Sequence, residues 1–321
     1  MEKKSYAIDD FPKFFWEAMD NNFSNFTQIR YLSALVSEMA YHEVLCEELG
    51  KHRRLRVIPC EGFKKIISSK RSTSMSRVFE GGDFRELQTN IDVVSTASTK
   101  VILFRFYGHM FISIRGTVPS YANDWKSNFK SRMMGIITYE RKLSPMMVHE
   151  GFLREAMALF DLLCAKLHNS KPELLFVTGH SLGGAVATLL SIFLSLSSIR
   201  PYSTVVFGSP RVGNWDMNHN LCQLFSSGSF SFVSNDKDMV QTVPWKSRGY
   251  VDFPNRIDAF GRIHLPSDSC IGPLQETWAW LRFLWSGFEA HKIEYYRRDC
   301  KLAATGQYDA RRFCDLKKIV L

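Results

Sequence analysis

Residues 174–199 read LLFVTGHSLGGAVATLLSIFLSLSSI, and their order decides the fold. Residues 174–178 (LLFVT) are a short, wholly apolar run, the pattern of a strand buried on both faces. Residues 182–199 carry no charge and approach the length of a membrane span, but they open on Gly183-Gly184 and are dotted with serines. A helix packed against a sheet gives the same pattern, and no transmembrane span is expected. Between strand and helix lies Gly179-His180-Ser181-Leu182-Gly183, a Gly-x-Ser-x-Gly turn. Such a turn is so sharp that Ser181 must take strained backbone angles, and side chains at 179 and 183 would collide. The hydroxyl is lifted clear of the sheet beside a helix N-terminus, whose free N–H groups stabilise negative charge. Ser181 is therefore the candidate nucleophile.

Outward from this centre, residues 101–106 (VILFRF) and 110–115 (MFISIR) read as two strands around a tight turn at 107–109. A helical segment at 151–167 precedes the central strand, and residues 204–207 and 230–234 are two further short strands. Short apolar strands alternating with helices make an α/β fold: a mainly parallel central sheet flanked by helices. Residues 1–90 read as a mostly helical extension packed on the core, with Ile29, Leu32, Leu35, Val36, Met39, Val44 and Leu45 near helical spacing across 28–49. The main domain spans 91–300, and 301–321 form a tail without strong pattern.

Composition narrows the class. Apolar residues are 45% and charged residues 23% of the 321, an ordinary globular balance that excludes disordered, collagen-like and coiled-coil chains. The net charge of +9 favours anionic partners: nucleic acid, an anionic membrane face or acidic lipid. The basic stretches 51–56 (KHRRLR) and 64–71 are short and lack interleaved aromatics, so they read as solvated surface rather than a nucleic-acid arm. No apolar run follows the N-terminal lysines, and the seven cysteines form no CxxC pair. Both point to a reducing compartment, so a cytoplasmic protein, membrane-associated at most, is expected.

A serine hydroxyl needs a base. In a strand–turn–helix hydrolase the order is Ser, acid, His. His180 adjoins the serine and cannot fold back onto its hydroxyl. His219 comes too early, which leaves His264 and His291. The acid should follow the strand at 230–234, where Asp236 and Asp238 both qualify. His264 sits in a strand-like setting, whereas His291 follows Ser286-Gly287 in a loop-like one where a base can swing.

Several pieces in register carry a more specific signal: Ile114-Arg115-Gly116-Thr117, Asp124-Trp125, Val148-His149-Glu150-Gly151-Phe152, Gly179 to Gly184, Phe207 to Gly213 (FGSPRVG), Asp238-Met239-Val240, and His291 with Tyr295. The chain resembles the class 3 lipases, the fungal lipase-like branch of the α/β-hydrolases, over about residues 90–296. The resemblance implies an α/β-hydrolase fold and ester hydrolysis by acyl transfer, with Ser181 as nucleophile, Asp238 as acid and His291 as base. It implies an oxyanion hole from the N–H groups of Leu182 and Thr117, and a lid over 118–133 carrying Trp125. Arg115 and His149 become structural residues, and Tyr295 packs behind the His291 ring. One departure stands near the acid: Gln241 replaces a proline usual in the family, while Pro244 follows. No metal or organic cofactor is implied. The expected substrate is a lipid ester, acylglycerol or phospholipid, with peripheral contact to a lipid or anionic membrane surface and no nucleic acid. Trp278, Trp280 and Trp285 could serve that contact or form a core helix that positions His291. The alternatives are an esterase for soluble, feruloyl-type esters and an inactive hydrolase fold that binds a ligand or partner.

Overall fold

The computed structural model describes residues 10–49, 52–59, 89–96, 99–116, 132–137, 143–226, 228–254, 256–263 and 288–307. In chain order, α1 (Phe11–Asp20) and α2 (Phe26–Met39) precede a hairpin of β1 (His42–Leu49) and β2 (His52–Pro59). β3 (Thr89–Ser95), β4 (Lys100–Phe106) and β5 (His109–Ile114) form an antiparallel meander. Its β4–β5 turn has φ 47° at Tyr107 and 79° at Gly108. Two positive φ values in a two-residue loop match the twist of the flanking strands. β6 (Met133–Ile136) and β7 (Met146–His149) make a small separate sheet. Then come α3 (Glu150–Ser170), β8 (Leu175–His180), α4 (Leu182–Leu196), β9 (Ser203–Phe207), α5 (Trp215–Leu224), β10 (Phe230–Val233), β11 (Arg256–Ile257) and α6 (Ile293–Ala304).

Among the described residues the main sheet has seven strands in the order β11-β10-β9-β8-β5-β4-β3. β5, β8, β9, β10 and β11 are parallel neighbours; β3 and β4 run antiparallel at one edge. Alternating side chains divide between two cores. Val101, Leu103, Ile112, Leu175, Val177 and Val206 face α3, α4 and α5. Ile102, Phe104, Phe106, Phe111, Phe176, Val205 and Phe207 face α1, α2 and α6. Phe11 of α1 meets Phe104, Phe106 and Phe111 edge-on, with centroids 5.0–5.4 Å apart. Each buried phenylalanine contributes on the order of 1.5–3 kcal/mol, with about 0.5–1.5 kcal/mol more from ring geometry.

The central reading at 174–199 holds: the strand is β8, and the uncharged stretch is the buried helix α4. Among the described residues no helix is long and apolar enough to cross a membrane. The reading of 28–49 is corrected. The helix stops at Met39, and residues 42–49, with Val44 and Leu45, are strand β1. The cause is non-local: β1 pairs with β2, placing Glu47 opposite Arg54 and Glu48 opposite Arg53, a partnership that periodicity within 28–49 does not contain. At the other end α6 runs through Ala304, past the boundary expected at 300. The 64–71 basic stretch, Thr117, Trp125, His264, Trp278, Trp280 and Trp285 lie outside the described residues.

Candidate active site

β8 ends at His180, α4 begins at Leu182, and Ser181 between them has φ 60° and ψ −133°. For a residue with a Cβ this is a strained conformation, held only because its surroundings over-determine it. The glycines show how tight those surroundings are. A Cβ at Gly179 would lie 2.3 Å from the Gly183 carbonyl oxygen, and one at Gly183 would lie 2.1 Å from the Ile114 carbonyl oxygen. At Gly116 a Cβ would lie 2.5 Å from the His180 carbonyl oxygen, 2.5 Å from the Tyr41 hydroxyl and 2.9 Å from the Ser181 Cβ. Gly116 ends the β5 segment against Ser181 itself. Ser181 is buried, and its Oγ makes no hydrogen bond among the described residues. The N–H groups of Leu182 and Gly183, in the first turn of α4, lack an intrahelical acceptor and border the serine.

Asp238 and His291 meet although 53 residues separate them: His291 Nδ1 donates to Asp238 Oδ2 at 2.8 Å. Both side chains are buried. The same carboxylate accepts the Tyr296 hydroxyl at 2.6 Å, and its other oxygen accepts the Val240 N–H at 2.9 Å. Three donors converge on one acid, which fixes its plane. Burial and then the Asp238 charge hold the Tyr296 hydroxyl well above the usual tyrosine range, so it stays a donor. Gly208, at φ 52°, is a glycine for a local reason. A Cβ there would lie 2.5 Å from Asp238 Oδ2 and 2.8 Å from the Tyr296 hydroxyl.

Asp236 is exposed on the same loop. The loop is closed by the residue that departs from the family pattern: the Gln241 side-chain amide donates to the Asn235 carbonyl oxygen. Asn235 in turn donates to the Ala290 carbonyl oxygen at 3.2 Å, tying the acid loop to the 3₁₀ turn Phe288–His291. Beneath it, buried Arg211 of the FGSPRVG stretch donates to Asp252 at 2.7 Å and to the Pro244 carbonyl oxygen at 3.0 Å. Burial raises the Asp252 carboxyl, but Arg211, Lys246 and Arg256 more than reverse it and hold it low.

Of the candidates legible in the sequence, Ser181 and Leu182 share one turn, Asp238 and His291 share a hydrogen bond, and the His291 ring lies 4.6 Å from that of His180, next to Ser181. His149 caps α3, its Nδ1 accepting the Phe152 N–H. Tyr295 is corrected. It lies half-buried on the outer side of α6 with the Arg298 guanidinium over its ring, and its neighbour Tyr296 makes the contact with the acid. The reason is helical phase: α6 begins at Ile293 and buries positions 293, 296 and 300. The sequence reading also passed over Tyr41, whose hydroxyl lies 2.7 Å from His180 Nδ1.

Residues 111–247 match the family described as Lipase (class 3). The chain is 33% identical over 147 residues, 43% of its length and 40% of the relative's, to secreted mono- and diacylglycerol lipase 1 of Fusarium solani. It is 37% identical over 76 residues to secreted mono- and diacylglycerol lipase LIP2 of Malassezia restricta, covering 23% of this chain and 24% of that one. The chain thus spans less than half the length of these relatives. The crystal structure of Lip2 lipase from Yarrowia lipolytica overlays with a TM-score of 0.46 at 20% identity, over 52% of this chain and 67% of that one. The cytoplasmic setting expected from the cysteines and the N-terminus is overturned here: both sequence relatives are named as secreted lipases, which points to an extracellular location. With its motifs in family order, the chain is similar to the class 3 lipase family over residues 111–247.

Proposed function

We propose that the protein hydrolyses carboxylic esters of lipids, acylglycerols foremost, through an acyl-enzyme formed on Ser181. The observation that carries this reading is a strained serine at a strand–helix turn together with a buried, carboxylate-held histidine whose ring lies 4.6 Å from that of His180, the serine's neighbour. Ser181 Oγ attacks the ester carbonyl carbon as His291 takes its proton at Nε2. Asp238 keeps the proton on Nδ1, so that Nε2 presents a lone pair, and it stabilises the imidazolium that forms. The Leu182 N–H, with the main chain of Thr117, holds the oxyanion, each strong donor supplying about 3–4 kcal/mol. Collapse expels the alcohol, protonated by His291; water then enters by the same base and releases the fatty acid.

Ser181 Oγ makes no hydrogen bond among the described residues, as suits a resting triad whose nucleophile–base contact tightens when substrate arrives. Ser181 is 1% exposed and His291 4%, so an ester reaches them only when their cover moves. From the class 3 resemblance we assign a lid role to residues 118–133 with Trp125, an amphipathic stretch suited to open against a lipid surface. Acylglycerol is favoured because the relatives are named for mono- and diacylglycerol. Phospholipid would draw on the +9 charge. A fluorophosphonate probe should label wild-type protein at Ser181. Emulsified tri-, di- and monoacylglycerol, phospholipid vesicles and soluble p-nitrophenyl and feruloyl esters then rank the substrates. A wild-type protein that neither takes the label nor cleaves any of these esters is a binding fold, and the proposal fails.

A further inference from the structure

His180 sits inside the Gly-x-Ser-x-Gly turn and is buried, yet the reaction as written gives it no task. Its two ring nitrogens both have partners. Nε2 lies 2.6 Å from the carbonyl oxygen of His291, and Nδ1 lies 2.7 Å from the Tyr41 hydroxyl. A carbonyl oxygen only accepts, so Nε2 must carry the proton. Burial, and then the neighbouring His291, hold the His180 imidazole well below the usual histidine range. The ring therefore has one proton, and Nδ1 is a bare acceptor. Tyr41 must then donate to it. Burial pushes the Tyr41 hydroxyl above its usual range, so that donor keeps its proton. The direction of both bonds is fixed: Tyr41 O–H to His180 Nδ1, and His180 Nε2–H to the carbonyl oxygen of His291.

Both ends of this chain adjoin the reaction centre. Gly116 precedes Thr117, and a Cβ on it would lie 2.5 Å from the Tyr41 hydroxyl and 2.9 Å from the Ser181 Cβ. His291 is the proposed base, and its ring packs on that of His180 at 34°. We propose that Tyr41 and His180 are positioning residues, a one-way hydrogen-bond relay that holds the main chain of His291 at a fixed distance from the β5 end and Ser181. This rests on the reading of Ser181, Asp238 and His291 as the triad. The relay works with the Asn235 bond to the Ala290 carbonyl oxygen, so that two successive carbonyls, 290 and 291, are each held by a side chain. A neutral His180 also adds no positive charge beside the imidazolium that forms on His291. Tyr41 does its part from the end of α2, in a region the sequence reading left without function.

The test uses the full chain and three variants. Tyr41→Phe removes one oxygen, His180→Leu removes the relay, and His180→Gln restores a donor and an acceptor about one imidazole width apart. On a soluble p-nitrophenyl ester, His180→Leu should lower kcat about 100-fold and Tyr41→Phe about tenfold, each with KM within twofold, the cost expected of a misplaced base. His180→Gln should recover at least tenfold over His180→Leu. Nitrogen-15 spectra of histidine-labelled resting protein should show His180 as the Nε2–H tautomer, kept in Tyr41→Phe because the His291 carbonyl oxygen still takes that proton. The relay is overturned by an Nδ1–H tautomer in wild type, by kcat within twofold of wild type in both Tyr41→Phe and His180→Leu, or by a His180→Gln as slow as His180→Leu. The tautomer is read without turnover, so it judges the relay even if Ser181 takes no fluorophosphonate label, an outcome that overturns the triad reading instead.

Discussion

Replacing Asp238 by Asn swaps one oxygen for an amide nitrogen in a site where all three neighbours donate. Those neighbours are the His291 Nδ1–H at 2.8 Å, the Tyr296 O–H at 2.6 Å and the Val240 N–H at 2.9 Å. The Asn side chain has two orientations. With its oxygen toward His291 and Tyr296, its NH₂ meets the Val240 N–H head-on. A backbone donor cannot rotate, so this leaves a buried group unsatisfied at about 1–3 kcal/mol. With the oxygen toward Val240, the NH₂ meets Tyr296, which can rotate and accept, and His291, which can move its proton to Nε2. The second orientation satisfies every group and wins. It also turns the base away from Ser181, since Nε2–H has no lone pair for the serine proton. Asp238→Asn should therefore lower kcat on a p-nitrophenyl ester by about 10⁴ with little change in melting temperature. Exposed Asp236 has no place in this network, and Asp236→Asn should cost less than tenfold. Steady-state kinetics on both variants, with circular dichroism for folding, decides the matter. A folded Asp238→Asn within tenfold of wild type, or a larger loss at Asp236, refutes the reasoning.

Ser181→Ala should lose on the order of 10⁶ in kcat and all fluorophosphonate labelling while keeping its melting temperature; activity above a few per cent of wild type moves the nucleophile elsewhere. Gly116→Ala should lose activity and about 1–3 kcal/mol of stability, measured by urea unfolding, because its Cβ meets the His180 carbonyl and the Tyr41 hydroxyl at 2.5 Å each. Burial pushes the Glu38 carboxyl from 4.5 to about 7 against its Arg297 partner. Between those values the folded chain holds more protons than the unfolded one, so this contribution is full below 4.5 and is lost as pH rises through about 7. In thermal melts Glu38→Gln should thus gain on wild type as pH rises across that window, and parallel curves would refute it. Trp125→Ala should weaken hydrolysis of emulsified acylglycerol far more than that of a monomeric short-chain ester, and equal losses would make Trp125 a packing residue.

The features legible in the sequence are those whose cause is local. The β4–β5 hairpin, β8, the glycines at 179 and 183, and α4 each follow from a run of residues whose pattern is complete in itself. Asp238 needed the family register to part it from Asp236; in the fold Asp238 is buried against His291 while Asp236 is exposed. The features missed have distant causes. β1 depends on β2, and Tyr41 meets His180 across 139 residues. Tyr296 instead of Tyr295 depends on where α6 begins, and Lys292, extended at φ −66° and ψ 137°, delays that start. Spacing from His291 alone does not contain this phase.

The matched segment, 111–247, holds Ser181, Leu182 and Asp238, but neither His291, Tyr296 nor Tyr41. Those three come from parts of the chain flanking that segment, α2 and α6 with the turns beside them, which cover one face of the sheet together with α1. The cover is tied internally. Glu38 of α2 pairs with Arg297 of α6, and Asp10 before α1 takes both the Tyr31 hydroxyl at 2.5 Å and the Lys301 ammonium at 2.6 Å. It is tied to the sheet as well: Ser37 lies 2.8 Å from Thr178, three residues before Ser181. One layer thus carries His291 and Tyr296, which both meet Asp238, and Tyr41, which meets His180, while sheet strand β8 leads into Ser181. A shift of that layer over the sheet moves His291 relative to Ser181 and pulls it, with Tyr296, from Asp238 on the loop after β10. The distance that matters for proton transfer is therefore set by how α2 and α6 seat on β8 and β9, through packed phenylalanines and the Ser37 contact, as much as by the motif around the serine.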